Sequence, residues 1–578
     1  MSHRLSRNLK TQQNRVTYLL LGVFGIALGL RIWGIGFGLP YALTFDEDHE
    51  ILRAFKLGAG EYDWEGGGKG GLYYLLFIEY GLIYVVWRMM GGVGDSSEFA
   101  LLYFQDPSVF YLAGRLTVAL MGTTTCLVIF LIGRRMYDWR VGLGAAFIGS
   151  SAYFHGIWSH YINVDIGMTL ALWASILAYL QYEEKGTLRW LASAGALGGM
   201  AIAFKVPGAI VLPILLLATV SHAESWRSPR PLLKEVGIVL VTLLTILTAM
   251  APETTMSIAS LHKHFSHVIA QGVVPHASYE GNMHDAVDTV TIFRHKKWSA
   301  YPNILLKDYN LAITLSALLG AGWALLRKHR WGIILSVFIV VFLGILIAAD
   351  RSQAQHYLLP VMPGLWLLSS AAIVALLGRR PSLMVVGLAC VIVFPLMAVV
   401  YQDYMWTRPD TRLVAKEWIE ANIPSGAKIL LDGMRYRFVQ SPPLNPDKST
   451  VDHRVAQASE AGRLSRGISR QTLALYAKAM NQVKGPTYRL HSTVWGLEVE
   501  ELDYYVQTCF DYIITSSLNS ERYVGEIYQK RFPKSAQFYE QLKTDSRFQV
   551  VYSIAPIPWK RNGPIITVYE VLPSCRKS

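Results

Sequence analysis

The chain has 578 residues, 52% hydrophobic and only 16% charged, and its mean hydropathy is +0.29. A soluble domain of this length cannot hide so much apolar surface, so the composition excludes an ordinary globular enzyme and points to a polytopic membrane protein. The formal net charge of +13 invites a nucleic-acid reading, but Lys and Arg fall mostly in short loops between apolar runs, where they orient helices in a bilayer; no nucleic-acid partner is expected.

The basic start MSHRLSRNLKTQQNR leads into an apolar run over residues 18–37 without a small-residue cleavage site, so this run reads as a retained anchor. It is followed by LTFDEDHEI, which sets Asp46, Glu47, Asp48, His49 and Glu50 where the chain leaves the membrane. These acids read either as a solvated face at a helix start, favoured by the helix dipole, or as part of a polar site. Residues 71–90 are apolar too, but Glu79 in mid-segment and the flanking Trp87 suit a helix lying along the interface.

A span needs ~20 apolar residues to cross ~30 Å of hydrocarbon. Runs of that kind centre on residues 110–133, 142–158, 166–182, 190–204, 206–221, 235–251, 309–326, 331–349, 357–377 and 382–401. With 71–90 at the interface, the basic clusters GRRMYDWR, EEKGTLR, ESWRSPRPLLK, LRKHR and GRRP share the side of the N-terminus. The expected topology is therefore eleven spans, with the N-terminus cytoplasmic and the C-terminus extracytoplasmic, in a membrane of bacterial inner-membrane type. Residues 38–109, 252–308 and everything after 401 then lie outside.

The expected domains are a transmembrane domain over 1–401, including external loops 38–109 and 252–308, and an extracytoplasmic α/β domain over 402–578. In the tail, DTRLVAKEWIEANIPSG reads as a helix capped by Asp410 or Thr411 and stopped by PSG, while KILL, DYIITSS, FQVVYSI and PIITVYEVL read as strands. Cys509 and Cys575 in this tail can pair in an oxidising compartment. Under this topology Lys69, Arg115, Asp165, Lys205 and His356 gather at the same outer face as the acids.

These residues lie in stretches that resemble a known family. LRIWGIGFGLPYALTFDEDH, GKGGLYYLL, YLAGRLTVALMG, WSHYINVDIGMTLAL, GMAIAFKVPGAIVL and QHYLLPVMPGLWLL resemble, in order and spacing, the membrane glycosyltransferases of the C-type (GT-C) fold. The similarity is to the branch containing protein mannosyltransferases and lipid A aminoarabinose transferases, and it covers roughly residues 20–400, with a looser likeness in the tail. The sequence departs from the family where Phe45 precedes the acid pair and where Gly70 and Gly71 replace two prolines. Gly68 stands where some relatives carry a zinc-binding Glu, so no metal is assigned and the sequence requires no cofactor; His262, His264 and His267 give a weak metal spacing that leaves a divalent ion possible but unsupported.

The resemblance implies a GT-C-like polytopic helical fold plus the α/β tail. The implied reaction moves a hexosyl or pentosyl group from a polyprenyl-phosphate sugar to an extracytoplasmic lipid, glycan or protein acceptor, with inversion. A hydroxyl acceptor needs a carboxylate to take its proton, a role that falls to Asp46, with Glu47 orienting it or holding sugar hydroxyls and Asp165 holding the acceptor or sugar. Negative charge grows on the departing phosphate, which Lys69, Lys205 and Arg115 are placed to meet. His49, Tyr73, His356 and Tyr357 are the substrate-binding candidates. The rival class, a transporter or flippase for a lipid or lipid-linked sugar, calls for ionisable groups near the bilayer midplane and for repeated halves with broken helices.

Overall fold

The computed structural model describes the chain except for residues 1, 42, 45–46, 62–69, 222–228, 257–299, 309, 349–354, 434–439, 461–469, 494–495, 498, 525–528, 531 and 573–578. Asp46, Lys69, the three loop histidines and Cys575 lie outside the described residues.

In chain order the helices are α1 (Ser2–Ile32), α2 (Glu47–Gly58), α3 (Gly70–Met89), α4 (Ser96–Gln105), α5 (Ser108–Met136), α6 (Trp139–Ser151), α7 (Tyr153–Trp158), α8 (Val164–Lys185) and α9 (Leu188–Phe204). A tight turn over Val206–Ile210 runs into α10 (Val211–Val220), followed by α11 (Pro229–Met250), α12 (Leu311–Leu326) and α13 (Arg330–Ala348). A second tight turn, Gln355–Val361, leads into α14 (Met362–Leu377), and α15 (Pro381–Trp406) closes the apolar part. Among the described residues, eight of these segments are long and apolar enough to cross a membrane: α1, α3, α5, α8, α11, α13, α14 with its leading turn, and α15. Helices α9, α10 with its turn, and α12 are shorter but equally apolar.

The chain is thus a polytopic helical membrane protein with a small mixed sheet near its C-terminus. The single run expected over 142–158 is instead two helices. Ala152 is extended between them (φ −65°, ψ 113°), and Ser150 and Ser151 turn their hydroxyls back onto the carbonyls of Phe147 and Ile148. Such local side-chain bonds compete with helix propagation, and hydropathy alone does not register them.

Two compact units result, one of Met1–Trp33, Tyr62–Leu76 and Gly114–Gln402, the other of Gly34–Glu61, Phe77–Ala113 and Asp403–Ser578. The last piece of the second unit begins at Asp403, and parts of the first loop belong to the same unit. In the first unit small residues let helices approach closely, since lipid supplies no hydrophobic drive between them. A Cβ on Gly149 of α6 would lie 2.7 Å from the Trp366 ring on α14. Gly71, at one of the family's proline positions, is similarly tight, with a Cβ there only 2.9 Å from the Phe204 nitrogen.

The second unit is built on a five-stranded sheet of β1 (Lys428–Leu431), β2 (Arg489–Ser492), β3 (Tyr512–Ser516), β4 (Phe548–Ile554) and β5 (Ile566–Val571), in the order β2-β1-β3-β5-β4. Strand β1 runs parallel to β2 and β3, whereas β5 is antiparallel to both β3 and β4. One core layer holds Ala415, Ile419, Ile429, Leu490 and Val568, and the other holds Leu430, Tyr505, Ile513, Phe538 and Tyr569. Helix α16 (Thr411–Asn422) is capped by Asp410, whose carboxylate accepts from the Arg412 N–H, and it buries Ala415 and Ile419 on the sheet while Trp418 stacks on Tyr552 at 4.4 Å. The four strands expected from the sequence are present; β2 (RLHS) was missed because it is short and alternates polar with apolar residues.

Candidate functional site

Helix α8 starts because Asn163 caps it, its side-chain oxygen accepting from the N–H groups of Asp165 (3.1 Å) and Ile166 (3.2 Å). Asp165 therefore sits in the first turn, buried, where the dipole favours its charge. Helix α9, packed antiparallel on α8, ends at Phe204; Lys205 leaves it in extended conformation, and Pro207 in the following turn prevents continuation. The start of one helix and the end of its neighbour meet at the same end of the bundle. There Lys205 Nζ donates to Asp165 Oδ1 at 2.8 Å and to Oδ2 at 3.0 Å.

The turn before α14 supplies the third wall. The Lys205 ammonium lies 5.1 Å from the Tyr357 ring centroid, within cation–π range. Tyr357 abuts His356 (4.3 Å between centroids), and His356 abuts Trp158 at the end of α7 (4.7 Å). Four sequence candidates, Asp165, Lys205, His356 and Tyr357, are thus brought together from three chain segments. An ammonium has three N–H donors, and two are spent on Asp165. Lys205 keeps 17% of its side chain exposed against 7% for Asp165, so the pair stands at the edge of the packed interior with its cation outward.

Arg115, on α5, is fully buried and engaged with its surroundings. Tyr73 is buried near the start of α3, its ring stacked on Tyr74 at 5.1 Å. The opposite end of the bundle carries a different chemistry: Arg330 pairs with Glu183 at 2.8 Å, the Trp331 indole donates to the same carboxylate at 3.0 Å, and Arg135 approaches Glu184 at 3.4 Å.

In the second unit, Glu47 and Glu50 do not form a solvated face. Glu47 and Glu50 are buried; Thr44 donates its hydroxyl to Glu47, and Arg53 donates to Glu50 at 3.1 Å. His49 is half-buried and engaged with its surroundings. The backbone just before the acids is held by the tail, where Arg412 donates to the Leu43 carbonyl at 3.1 Å while its other nitrogens grip Asp410 at 2.8 and 2.6 Å.

Sequence reasoning missed a buried polar knot in the first unit. Arg31 Nη2 lies 2.9 Å from His155 Nδ1 and donates to the Gly149 carbonyl at 3.1 Å, while Nη1 donates to Ala27 O at 2.8 Å. His160 sits between the carbonyls of Gly156 (3.0 Å) and Trp33 (3.2 Å). The available signal was an arginine inside the apolar run LRIWGIGFG, since an intramembrane cation requires an internal partner.

Residues 109–248, which include Arg115, Asp165 and Lys205, match the family model described as dolichyl-phosphate-mannose-protein mannosyltransferase. No curated protein matches the chain significantly. Among solved structures, ArnT from Cupriavidus metallidurans bound to undecaprenyl phosphate is similar at 13% identity, over 96% of this chain and 98% of that one, with a TM-score of 0.48. The apo oligosaccharyltransferase of Archaeoglobus fulgidus is similar at 13% identity, over 88% of this chain and 70% of that one, with a TM-score of 0.48. The AglB oligosaccharyltransferase of the same organism, in complex with an inhibitory peptide and a dolichol-phosphate, gives 11% identity, 95% and 74% coverage, and 0.46.

Proposed function

We propose that this protein is a membrane glycosyltransferase that moves a sugar from a polyprenyl-phosphate donor to a hydroxyl-bearing extracytoplasmic acceptor, with inversion at the anomeric carbon. The observation that carries the reading is the Lys205–Asp165 pair beneath Tyr357, at one end of the helix bundle and inside the segment that matches the mannosyltransferase family. In the reaction the acceptor oxygen attacks the anomeric carbon, the bond from that carbon to the phosphate oxygen breaks with its electron pair going to the phosphate, and the acceptor proton passes to Asp46. Lys205, with one N–H left after Asp165, meets the departing phosphate together with Lys69, and Arg115 adds positive potential from within the helix packing. Glu47 braces the loop of the base, Asp165 keeps the lysine in place or binds a sugar hydroxyl, and His49, Tyr73, His356 and Tyr357 line the way for the sugar or the isoprenoid.

The sidedness follows the same logic. Helix α2 packs Phe55 against Tyr103 of α4 at 5.5 Å, and α4 in turn meets the tail through Gln105–Gln482 (2.9 Å) and Phe104–Tyr476. Elements before and after α3 thus belong to one compact unit with the tail, which supports α3 lying along the interface although it is long enough to cross. The eleven-span topology with an external tail is then retained, and Cys509 is disulfide-bonded, as suits an oxidising compartment. A transporter is less well supported, because Arg31 is one residue from the end of α1 and Arg115 is in the second or third turn of α5, rather than at mid-helix.

The test is transfer of radiolabelled sugar from polyprenyl-phosphate donors to a membrane extract by the purified protein. Labelled product that disappears in Asp46→Asn is expected; a fall of about 100-fold or more fits loss of a general base. Donor that crosses liposomes with no product formed would replace the reading with transport.

A further inference from the structure

At the end of the bundle opposite Lys205, the first unit holds a cavity of about 340 Å³ that the transferase reading does not use. Its walls come from α6, α12, α14 and the loops beside them: Tyr137, Val141, Trp323, His329, Ala371 and Val374 are the residues that define it. One side is aromatic. Tyr137 stacks on His329 with centroids 4.3 Å apart and planes 14° from parallel, and both lie against Trp323. His329 has no spare polar capacity, since Nδ1 accepts the Gly332 N–H at 3.0 Å and Nε2 therefore carries the proton donated to Met136 O at 3.0 Å. Asp138, also at the rim, is spent on capping α6 and on Arg140 at 3.0 Å. The Tyr137 hydroxyl is buried away from the opening, toward Gly332, so the cavity is lined on this side by aromatic ring and not by a polar end.

The surroundings of the cavity are cationic. Arg134 precedes its first wall residue, Arg327 and Lys328 separate Trp323 from His329, and Arg379 and Arg380 follow α14; all five side chains are exposed and none forms an ion pair with a described residue. Beside them Leu325, Leu326 and Leu376 present exposed apolar side chains, as residues facing acyl chains do. A water-soluble anion would match the charges but leave the apolar floor of Val141, Ala371 and Val374 wet. A neutral lipid would fill the floor and leave the cations unmatched.

We propose that this cavity is a binding site for an anionic phospholipid, its phosphate among Arg134, Arg327, Lys328, Arg379 and Arg380 and the start of its glycerol and acyl portion in the aromatic-walled cavity. Each basic side chain near a lipid headgroup contributes about 1 kcal/mol, and each methylene withdrawn from water about 0.8 kcal/mol, so a headgroup with a few methylenes suffices for selectivity over bulk lipid. The site is separate from the Lys205 end and its occupancy does not depend on which reaction the protein performs.

The experiment uses the full-length protein in a neutral detergent, titrated with phosphatidylglycerol, phosphatidylcholine or soluble glycerol phosphate and read by native mass spectrometry and thermal shift. Phosphatidylglycerol should be retained and should raise the melting temperature, and the other two should not. Arg379→Gln with Arg380→Gln should weaken phosphatidylglycerol binding by roughly 25-fold, from two lost contacts of about 1 kcal/mol each. Ala375→Trp, at an exposed lining position, should weaken it at least tenfold by closing the mouth. Equal retention of phosphatidylcholine, stabilisation by glycerol phosphate alone, or unchanged phosphatidylglycerol binding in both Ala375→Trp and the Arg379→Gln, Arg380→Gln variant would each overturn the proposal.

Discussion

Replacing Lys205 by Met keeps most of the apolar stem and removes the charge that both oxygens of Asp165 face at 2.8 and 3.0 Å. Two consequences separate cleanly. The Asp165 carboxylate, 7% exposed, loses both bonds to the ammonium, and a hydrogen bond to a charged group contributes about 1.5–3 kcal/mol of stability. Adding Asp165→Asn lowers the cost of keeping that side chain buried, so the double variant should recover part of that loss. Catalysis should not recover with it. A donor aimed at charge that develops in the transition state contributes about 100- to 1000-fold in rate, or about 2.7–4 kcal/mol, and the double variant still lacks it. Asp165→Asn alone leaves one acceptor oxygen for Lys205, frees one of its N–H groups and should tighten binding of the donor phosphate. The assay is single-turnover transfer at saturating donor with equal amounts of folded protein, alongside thermal unfolding of each variant. A folded double variant whose single-turnover rate lies within about threefold of wild type would return Lys205 to a purely structural role.

Other outcomes follow from the same structure. Single cysteines placed near Lys534 and near Ser382 should differ toward an impermeant thiol reagent in intact cells, the first labelling and the second not; the reverse order would invert the topology. Asp432, buried after β1, accepts from the Tyr539 hydroxyl (2.6 Å), the Thr493 hydroxyl (2.7 Å) and the Ser516 N–H (3.1 Å), so Asp432→Ala strands three donors and should cost at least about 3 kcal/mol by chemical denaturation, whereas a loss below about 1 kcal/mol would show that the hub is not structural. His491 on β2 has its pKa lowered to about 4 by partial burial, followed by the charges of Lys428, His453 and Arg489. The unfolded chain takes up that proton near pH 6.5 and the folded chain does not until about pH 4, so this contribution to stability is complete above 6.5 and declines as pH falls through that window. His491→Gln should therefore shrink the drop in melting temperature between pH 7 and pH 5, and an unchanged drop would exclude His491 as its source.

What the sequence determined by itself was whatever depends on local composition and period. Membrane helices are legible because a bilayer demands runs of apolar residues and internally satisfied backbone, and the tail elements KILL, DYIITSS and DTRLVAKEWIEAN announce themselves through apolar spacing and a capping Asp410. Asp165 and Lys205 were also visible, as charges at the ends of apolar runs that share family motifs. Their pairing was not, because 40 residues separate them and only the antiparallel return of α9 on α8 sets the two helix ends side by side. The break at Ala152 escaped for a related reason: serine hydroxyls and tight packing on α14 decide it, and hydropathy weighs neither. The most consequential decision was tertiary. The sequence leaves Glu47 and Glu50 open between a solvated face and a polar site, and the fold decides by burying both, with donors from Thr44 and Arg53 and the preceding backbone held by the tail through Arg412. Polar burial depends on partners that the chain brings from elsewhere, and such partners are set by the fold rather than by the residues on either side.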